Sequence, residues 1–389
     1  MISTHNPLSF RQKVSRKLHK ISRTAQGIFQ YNIANNIRPL PPKAVSIVLT
    51  YHCNSRCVMC NIWKMKPKNE LKFEEWREIL KDSAFNSIER CDLTGGEIFL
   101  HPELSELAKL IITSMPKLRK LTMVSHGFMT ELVLKRVVEI AKICNKHNVE
   151  LSVSISLDGV GKMHEKIRRI PNAFKKTTTT LFKLKKLSKK YGFWVGSGSL
   201  VLRQNLSEVK KMKKWYEDNQ VDGTFQIVGF HDTYVNNLDT KKKVSFRKKE
   251  QNQLESFMEE LSQPKSWKDF RAYYWKDLLN MYKHGLPRTT PCPFQYDQFA
   301  MDSFGDIYYC FSERKIGNCR QDKSVSKILF APKNLKFRQK MKKSSCLGCN
   351  SGCDVERSIP REFKKYLWFI LTGKPWYGFK KAFNPHSKS

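Results

Sequence analysis

"YHCNSRCVMC", residues 51–60, places Cys53, Cys57 and Cys60 within eight positions. The run before it, "AVSIVLTY" (44–51), has the length and β-branched content of a strand, so the thiols ride the loop that leaves it. Similar apolar runs follow: "SIERCDLTG" (87–95), "LRKLTMVSHG" (118–127), "VELSVSISLDG" (149–159), "GFWVGSGSLVL" (192–202) and "GTFQIVGF" (223–230). Helical patterns separate them. "FEEWREILKDSA" sets Phe73, Trp76, Ile79 and Leu80 on one face, and "LKRVVEIAKICNKH" and "AFKKTTTTLFKLKKLSKKY" behave alike. Six alternations predict an α/β protein of parallel βα units, either an open doubly wound sheet or a partial (β/α)6 TIM-like barrel. Both architectures gather chemistry at the C-terminal ends of their strands, where the first strand delivers these cysteines.

Three thiols rather than four is informative. A structural zinc or iron–sulfur centre takes four protein ligands. Three thiolates on one loop leave a metal position open for a substrate or cofactor. The competing reading is a zinc loop completed by His52 or a distant residue. The first thirty residues lack the apolar core of a secretory signal. A cytoplasmic chain with an odd total of eleven cysteines points to metal sites or buried thiols, not to a disulfide framework. Cys91, in a strand pattern, and Cys144, in a helical one, read as core residues. The others form a late set, Cys292, Cys310, Cys319, Cys346, Cys349 and Cys353. "CPFQYDQFAMDSFGDIYYC" (292–310) carries a hairpin signature around "DSFGD", and "CLGCNSGC" (346–353) lies further on. A hairpin pair with a later CxxC is metal-site spacing, open to a zinc ribbon or a cluster.

"CNSRCVMC" has the C-x3-C-x2-C form of the radical S-adenosylmethionine (SAM) enzymes, and its surroundings resemble that family in order from about 44 to 230. "LTGGEIFLHPEL" (93–104) resembles the GGE motif, whose glycines let the backbone approach the methionine amino group of SAM; this implies roles for Gly95, Gly96 and Glu97. "SISLDG" (154–159) resembles the family's fourth strand, and "HEKIRR" (164–169) lies at the family's spacing from it, placing Ser156 and Arg168 toward the SAM ribose and carboxylate. "LRQNLSEV" (202–209) is similar to the fifth strand running into its helix. There are departures. Met59 stands where an aromatic residue packs near adenine, Ile98 replaces the proline after GGE, and "SHG" (125–127) replaces Thr-Asn-Gly, which makes His126 a candidate site residue or a structural hydrogen-bonding group. The resemblance implies a [4Fe-4S] cluster on Cys53, Cys57 and Cys60 with SAM on the fourth iron. It also implies one-electron cleavage of SAM to a 5′-deoxyadenosyl radical, which takes hydrogen from a C–H bond of the substrate.

The late set resembles the SPASM or shorter twitch extension, which opens C-x9–15-G-x4-C; Cys292, Gly305 and Cys310 fit it. C-x2-C-x3-C differs from the C-x2-C-x5-C of a full extension. One auxiliary [4Fe-4S] cluster is therefore expected on Cys292, Cys310, Cys346 and Cys349, with Cys353 in reserve and Cys319 a spare or the sign of a second cluster. Such a cluster would accept an electron from the substrate radical. Phe311 stands where sulfatase-maturing relatives carry an aspartate base, which counts against that activity.

The expected organisation is a basic amphipathic segment (1–43), the barrel (44–235), a helical linker (236–290), the SPASM/twitch-like extension (291–356) and a basic aromatic tail (357–389). With 71 Lys+Arg against 35 Asp+Glu, the net charge of +36 attracts anions. Near the start, Val14, Leu18, Ile21, Ala25 and Ile28 share a helical face that either lies on an anionic membrane or caps the barrel. The tail, "EFKKYLWFILTGKPWYGFKKAF", either sits at a membrane interface or docks back on the protein. Candidate partners are SAM, a reductant such as flavodoxin or ferredoxin, a membrane surface and an anionic or membrane-near substrate: a glycan, an alcohol or a peptide. With 52 residues before Cys53, a leader-binding domain finds no room, which disfavours the peptide. The alternative is a basic metal-binding protein recognising RNA, or a radical SAM enzyme that modifies RNA. No Walker, zinc-protease or Ser/His/Asp signature is present, and "GSGS" (196–199) lies inside a strand pattern.

Overall fold

The computed structural model describes Ser22, residues 25–266 and residues 269–376. The six apolar runs form β1 (Ala44–Thr50), β2 (Arg90–Gly95), β3 (Lys120–Ser125), β4 (Glu150–Ser156), β5 (Trp194–Val201) and β6 (Gly223–Ile227). They pair in parallel in sequence order. The intervening helices are α1 (Phe73–Ile79), α2 (Leu104–Ser114), α3 (Thr130–Lys146), α4 (Lys162–Arg168), α5 (Ala173–Tyr191) and α6 (Val209–Asp218).

Strand alternation explains the layering. Val45, Ile47, Leu49, Cys91, Leu93, Leu121, Met123, Leu151, Val153 and Ile155 join one buried core with Trp76 of α1, Leu107 and Ile111 of α2, Val137 and Ile140 of α3 and Leu181 of α5. Cys91 and Cys144 are both in it, as their patterns predict. The opposite face is polar. Ser46, Asp92, Thr122 and Ser152 align across β1 to β4. Val124 lies on this face in mid-sheet and is still 37% exposed, so the concave side is open rather than packed. A six-unit sheet that does not close leaves that space, and it is where a cofactor and substrate can enter.

The base of the concavity is plugged by charge. Arg90 on β2 pairs with Asp92 (2.9 Å) and with Asp354 (2.7 Å), and Arg357 pairs with Asp354 and Asp297 (both 2.8 Å). Burial opposes the charge on Asp354, but Arg90 and Arg357 hold its carboxyl below the usual range. Removing one member of so buried a network leaves an uncompensated charge, at a cost of about 3–5 kcal/mol.

The cysteine-rich extension is small but hydrogen-bonded into the same sheet. β7 (Gln298–Met301) pairs parallel with β1, Ala44 opposite Gln298 and Ile47 opposite Met301. β8 (Asp306–Tyr308) and β9 (Gly317–Asn318) follow antiparallel. The order is β6-β5-β4-β3-β2-β1-β7-β8-β9. In a six-unit barrel β1 is an edge with unpaired backbone groups, and the hairpin supplies their partners. The turn is the expected "DSFGD": the Asp302 carboxylate accepts the N–H groups of Phe304 and Asp306 (both 3.0 Å), and Gly305 takes φ +84°. The linker is helical, with α7 (Gln251–Leu261) and α8 (Phe270–His284) packed together. α9 (Pro332–Lys343) and α10 (Phe363–Thr372) complete the chain.

Of the expected N-terminal stripe, Val14, Leu18 and Ile21 lie outside the described residues. Ala25 is exposed and Ile28 half-buried. The anchor is Tyr31, which stacks on Tyr296 at 4.2 Å and donates to Asp297 (2.8 Å).

Candidate functional site

The loop after β1 is held from three sides. Glu70 accepts the Tyr51 N–H (2.6 Å) and the Thr50 hydroxyl (2.8 Å). The end of α4 takes the Arg56 N–H at Arg168 O (3.4 Å) and the Val58 N–H at Ile167 O (2.9 Å). The segment after β6 closes the third side: Asn237 donates to Met59 O (2.8 Å), and Asn61 N donates to Val235 O (3.0 Å). So anchored, Cys53, Cys57 and Cys60 lie within electrostatic reach of one another. Burial pushes the Cys53 thiol up to about 11 and Cys60 to about 12, and Cys57 adds to both. A bound metal ion would supply the positive charge that favours their thiolate form.

The "GGE" turn lies directly on this loop. Gly96 N donates to Thr50 O (2.8 Å) and Glu97 N to His52 O (2.9 Å). A Cβ on Gly95, at φ +138°, would meet Thr50 O at 2.3 Å, and one on Gly96 would meet His52 O at 2.1 Å. Backbone packing against the thiol loop therefore requires both glycines. The Glu97 side chain runs away from the thiols to the end of β3, where it accepts from Ser125 Oγ (3.0 and 3.1 Å) and His126 N (2.9 Å). Burial raises its carboxyl to about 7.

His126 is neutral here. Phe128 N donates to Nδ1 (3.0 Å), so the proton sits on Nε2, which donates to Asn54 Oδ1 (2.7 Å). Burial and Arg168 lower its pKa to about 3. Nε2 also lies 3.0 Å from Glu97 Oε2, and His126 so links β3 to the thiol loop.

Arg168, at the end of α4, pairs with Asp158 (2.6 Å) and reaches within 3.5 Å of Cys57 Sγ. Ser156 ends β4, half-buried, opposite Gly198. Met59 packs with Ile167, Leu202 and Val228. These residues converge on the C-terminal rim, where the resemblance leads one to expect SAM. Asn54, Ser125 and Asp158 stand beside them; each lies inside a quoted motif, but only their hydrogen bonds and ion pair mark them.

The extension gathers a second thiol group. Cys310, Cys346 and Cys353 each lie within electrostatic reach of Cys292 and Cys349. Burial pushes Cys353 up to about 12 and Cys346 to about 11. Arg288 braces the group from beneath. Its buried guanidinium donates to Thr290 O (2.9 Å), Cys349 O (3.1 Å) and Ser351 O (2.7 Å). Cys319 stays apart as a structural thiol donating to Gly305 O (3.1 Å). All eleven cysteines are free.

One apolar cluster touches both thiol groups. Val48, Tyr51, Ile62, Phe294, Tyr308 and Phe311 pack against Cys53 and Cys60 on one side and Cys292, Cys310 and Cys353 on the other. Tyr234 bridges it, stacked on Phe311 at 4.7 Å with its hydroxyl 2.6 Å from Thr94 Oγ1. Beside it opens a cavity of about 640 Å³ bordered by Tyr51, Thr233, Asp302, Phe304 and Tyr308. Among the described residues, no three His, Cys, Asp or Glu side chains close on a single-ion point.

The chain is thus an incomplete parallel barrel with three thiols on its first loop. Residues 47–216 match the model of the radical SAM superfamily. The cofactors of this class are a [4Fe-4S] cluster and SAM, and the residues fit them: Cys53, Cys57 and Cys60 would hold three irons, and the "GGE" backbone packs on the same loop. The chain is 24% identical over 304 residues to AlbA, an antilisterial bacteriocin subtilosin biosynthesis protein of Bacillus subtilis, covering 77% of this chain and 61% of AlbA. It is 26% identical over 154 residues to SkfB, a sporulation killing factor maturation protein of the same organism, covering 39% of this chain and 35% of SkfB. The chain thus spans less than two thirds of either relative. Among solved structures, Streptococcus suis SuiB bound to S-adenosylmethionine shares the fold at TM-score 0.54 and 15% identity, over 82% of this chain and 75% of SuiB. The anSMEcpe enzyme with bound AdoMet does so at TM-score 0.53 and 18% identity, over 85% and 96%.

Proposed function

We propose that this chain cleaves SAM reductively and abstracts hydrogen from a peptide substrate, with an auxiliary cluster in the extension receiving the electron left behind. The observation that carries the reading is the loop of Cys53, Cys57 and Cys60 laid against the "GGE" backbone at the open mouth of the barrel. A [4Fe-4S] cluster with SAM supplies the 5′-deoxyadenosyl radical when bound. The chain's own residues do the rest. Cys53, Cys57 and Cys60 hold three irons. Gly95, Gly96 and Glu97 bring backbone to the amino end of SAM. Ser156 and Arg168 orient its ribose and carboxylate, and Met59 packs near the adenine. The apolar cluster around Tyr51 and Phe311 keeps water from the reacting centre.

Cys292, Cys310 and Cys349 form the constant part of the auxiliary site, and Cys346 and Cys353 compete for the fourth place. A peptide is favoured over a glycan or an alcohol because AlbA and SkfB are named for bacteriocin biosynthesis and killing-factor maturation, and SuiB is known bound to its precursor peptide SuiA. The cavity beside Tyr51 and Asp302 is roomy enough for a peptide segment. The substrate is presented near the inner face of a membrane, and the electron comes from a flavodoxin or ferredoxin.

The test is anaerobic reconstitution followed by dithionite and SAM. Iron and sulfide at about eight each per chain, with 5′-deoxyadenosine and methionine formed together, is the expected result. Zinc in place of iron, with no deoxyadenosine under any reductant, would overturn it in favour of a basic metal-binding protein that recognises RNA.

A further inference from the structure

We propose that the two ends of the described chain form a docking surface for an anionic phospholipid bilayer, through an exposed stripe of Phe29, Ile33 and Ile37 and a second of Leu367, Trp368 and Leu371. The tail has two sequence readings, docked on the protein or lying on a membrane, and α10 does the first with one face only. Tyr366 packs on Phe270 (4.9 Å between ring centroids) and Phe369 on Tyr273 (5.1 Å). The other face is bare: Leu371 is 73% exposed, and Leu367, Trp368 and Ile370 are exposed beside it. Trp376 lies edge-on to Trp368 at 5.3 Å and is exposed too.

Phe29, Ile33 and Ile37 recur every fourth residue along one side of a helical segment, and Ile37 is 79% exposed. The opposite side is pinned by Tyr31 on Tyr296. The turn Gln30–Ala34 packs against Ile359–Glu362, immediately before α10, so the two stripes belong to neighbouring elements.

Charge selects the occupant. Residues 1–43 hold eight Lys/Arg and no acid, and the sequence after Glu362 holds six lysines and no acid. Apolar faces whose flanking sequence is cationic and acid-free suit an anionic lipid surface, which satisfies both at once. RNA would use the cations but gain nothing from bare Leu and Ile. A second copy, itself at +36, would bring the same acid-free ends into repulsion. Among the described residues no helix is long and apolar enough to cross a membrane, so α10 lies in the interface plane. The surface agrees with a membrane-near substrate but does not depend on either cluster.

The experiment is co-sedimentation of the reconstituted full chain with vesicles of phosphatidylglycerol and phosphatidylcholine, and with phosphatidylcholine alone. A variant carrying Ile37→Glu and Leu371→Glu is run alongside; both positions are exposed, so the fold is retained and iron content stays unchanged. The expected result is binding to the anionic vesicles with a blue shift of tryptophan emission, and binding by the variant weaker by about ten-fold or more. Absence of binding to anionic vesicles overturns the proposal. Equal binding by the variant overturns the role of the stripes, as does concentration-dependent self-association that the variant abolishes. Deoxyadenosine assayed in the same preparation separates failure of the surface from failure of the enzyme reading.

Discussion

Cys53, Cys57 and Cys60 come from eight consecutive residues, whereas the five extension thiols are drawn from positions 292 to 353. The first group sits on one loop, which Glu70, the end of α4 and the segment after β6 hold at the end of a buried strand. The second needs a hairpin, a CxxC segment and a buried arginine to meet, so more chain must be ordered before any thiol finds another. A site built on one loop should withstand damage to the rest of the fold, and a site built across segments should fail piecemeal.

The largest effect tests that asymmetry directly. Replacing Cys53, Cys57 and Cys60 by alanine is expected to remove about four of about eight irons and to abolish 5′-deoxyadenosine formation, with the extension's iron retained; simultaneous loss of all iron would show that the two sites are not independent. Next comes the extension. Cys349→Ala should lose that site's iron, whereas Cys346→Ala and Cys353→Ala should each keep it and the double variant lose it, read by iron analysis and by the electron paramagnetic resonance of the reduced protein. Full loss in either single variant would name the fourth ligand and end the competition.

Gly96→Ala sharpens the comparison from the backbone side. A methyl group 2.1 Å from His52 O must push the thiol loop away from β2, and we expect a loss of roughly 2–4 kcal/mol in stability together with poor cluster retention. The smallest effect concerns how the extension is tied to the barrel. Arg320 hydrogen-bonds Glu75 and holds its carboxyl at about 2, against 4.5 for a free glutamate. A lowered folded-state pKa stabilises above the unfolded value and is lost as pH falls toward the folded one. Glu75→Gln should therefore cost about 0.5 kcal/mol at pH 7, this being an exposed pair, and the difference should shrink between pH 4.5 and pH 3 in urea unfolding of the apoprotein.

Much of the barrel is readable from sequence because its signal is local. Six β runs, the face formed by Phe73, Trp76, Ile79 and Leu80, and the "DSFGD" turn all fall where patterning puts them. The parallel pairing of β7 with β1 is not readable, since nothing in "QFAM" says which edge it joins. Arg288 carries no signal in "PRTT"; only the meeting of three carbonyls around its guanidinium marks it. His126 is visible as a candidate, but its neutral, bridging state depends on a hydrogen bond to the backbone of Phe128.

The sequence by itself determined the α/β class, the loop of three cysteines and the extension's hairpin. Periodicity and spacing carry these, and each acts over a few neighbours. The tertiary structure alone decided that the extension completes the barrel's sheet and that five distant thiols gather while Cys319 bonds to Gly305 O instead. It also decided that a single apolar cluster joins both sites and that α10 leaves one face bare. Those are contacts between segments far apart in the chain, and they depend on which surfaces remain once the local elements have formed.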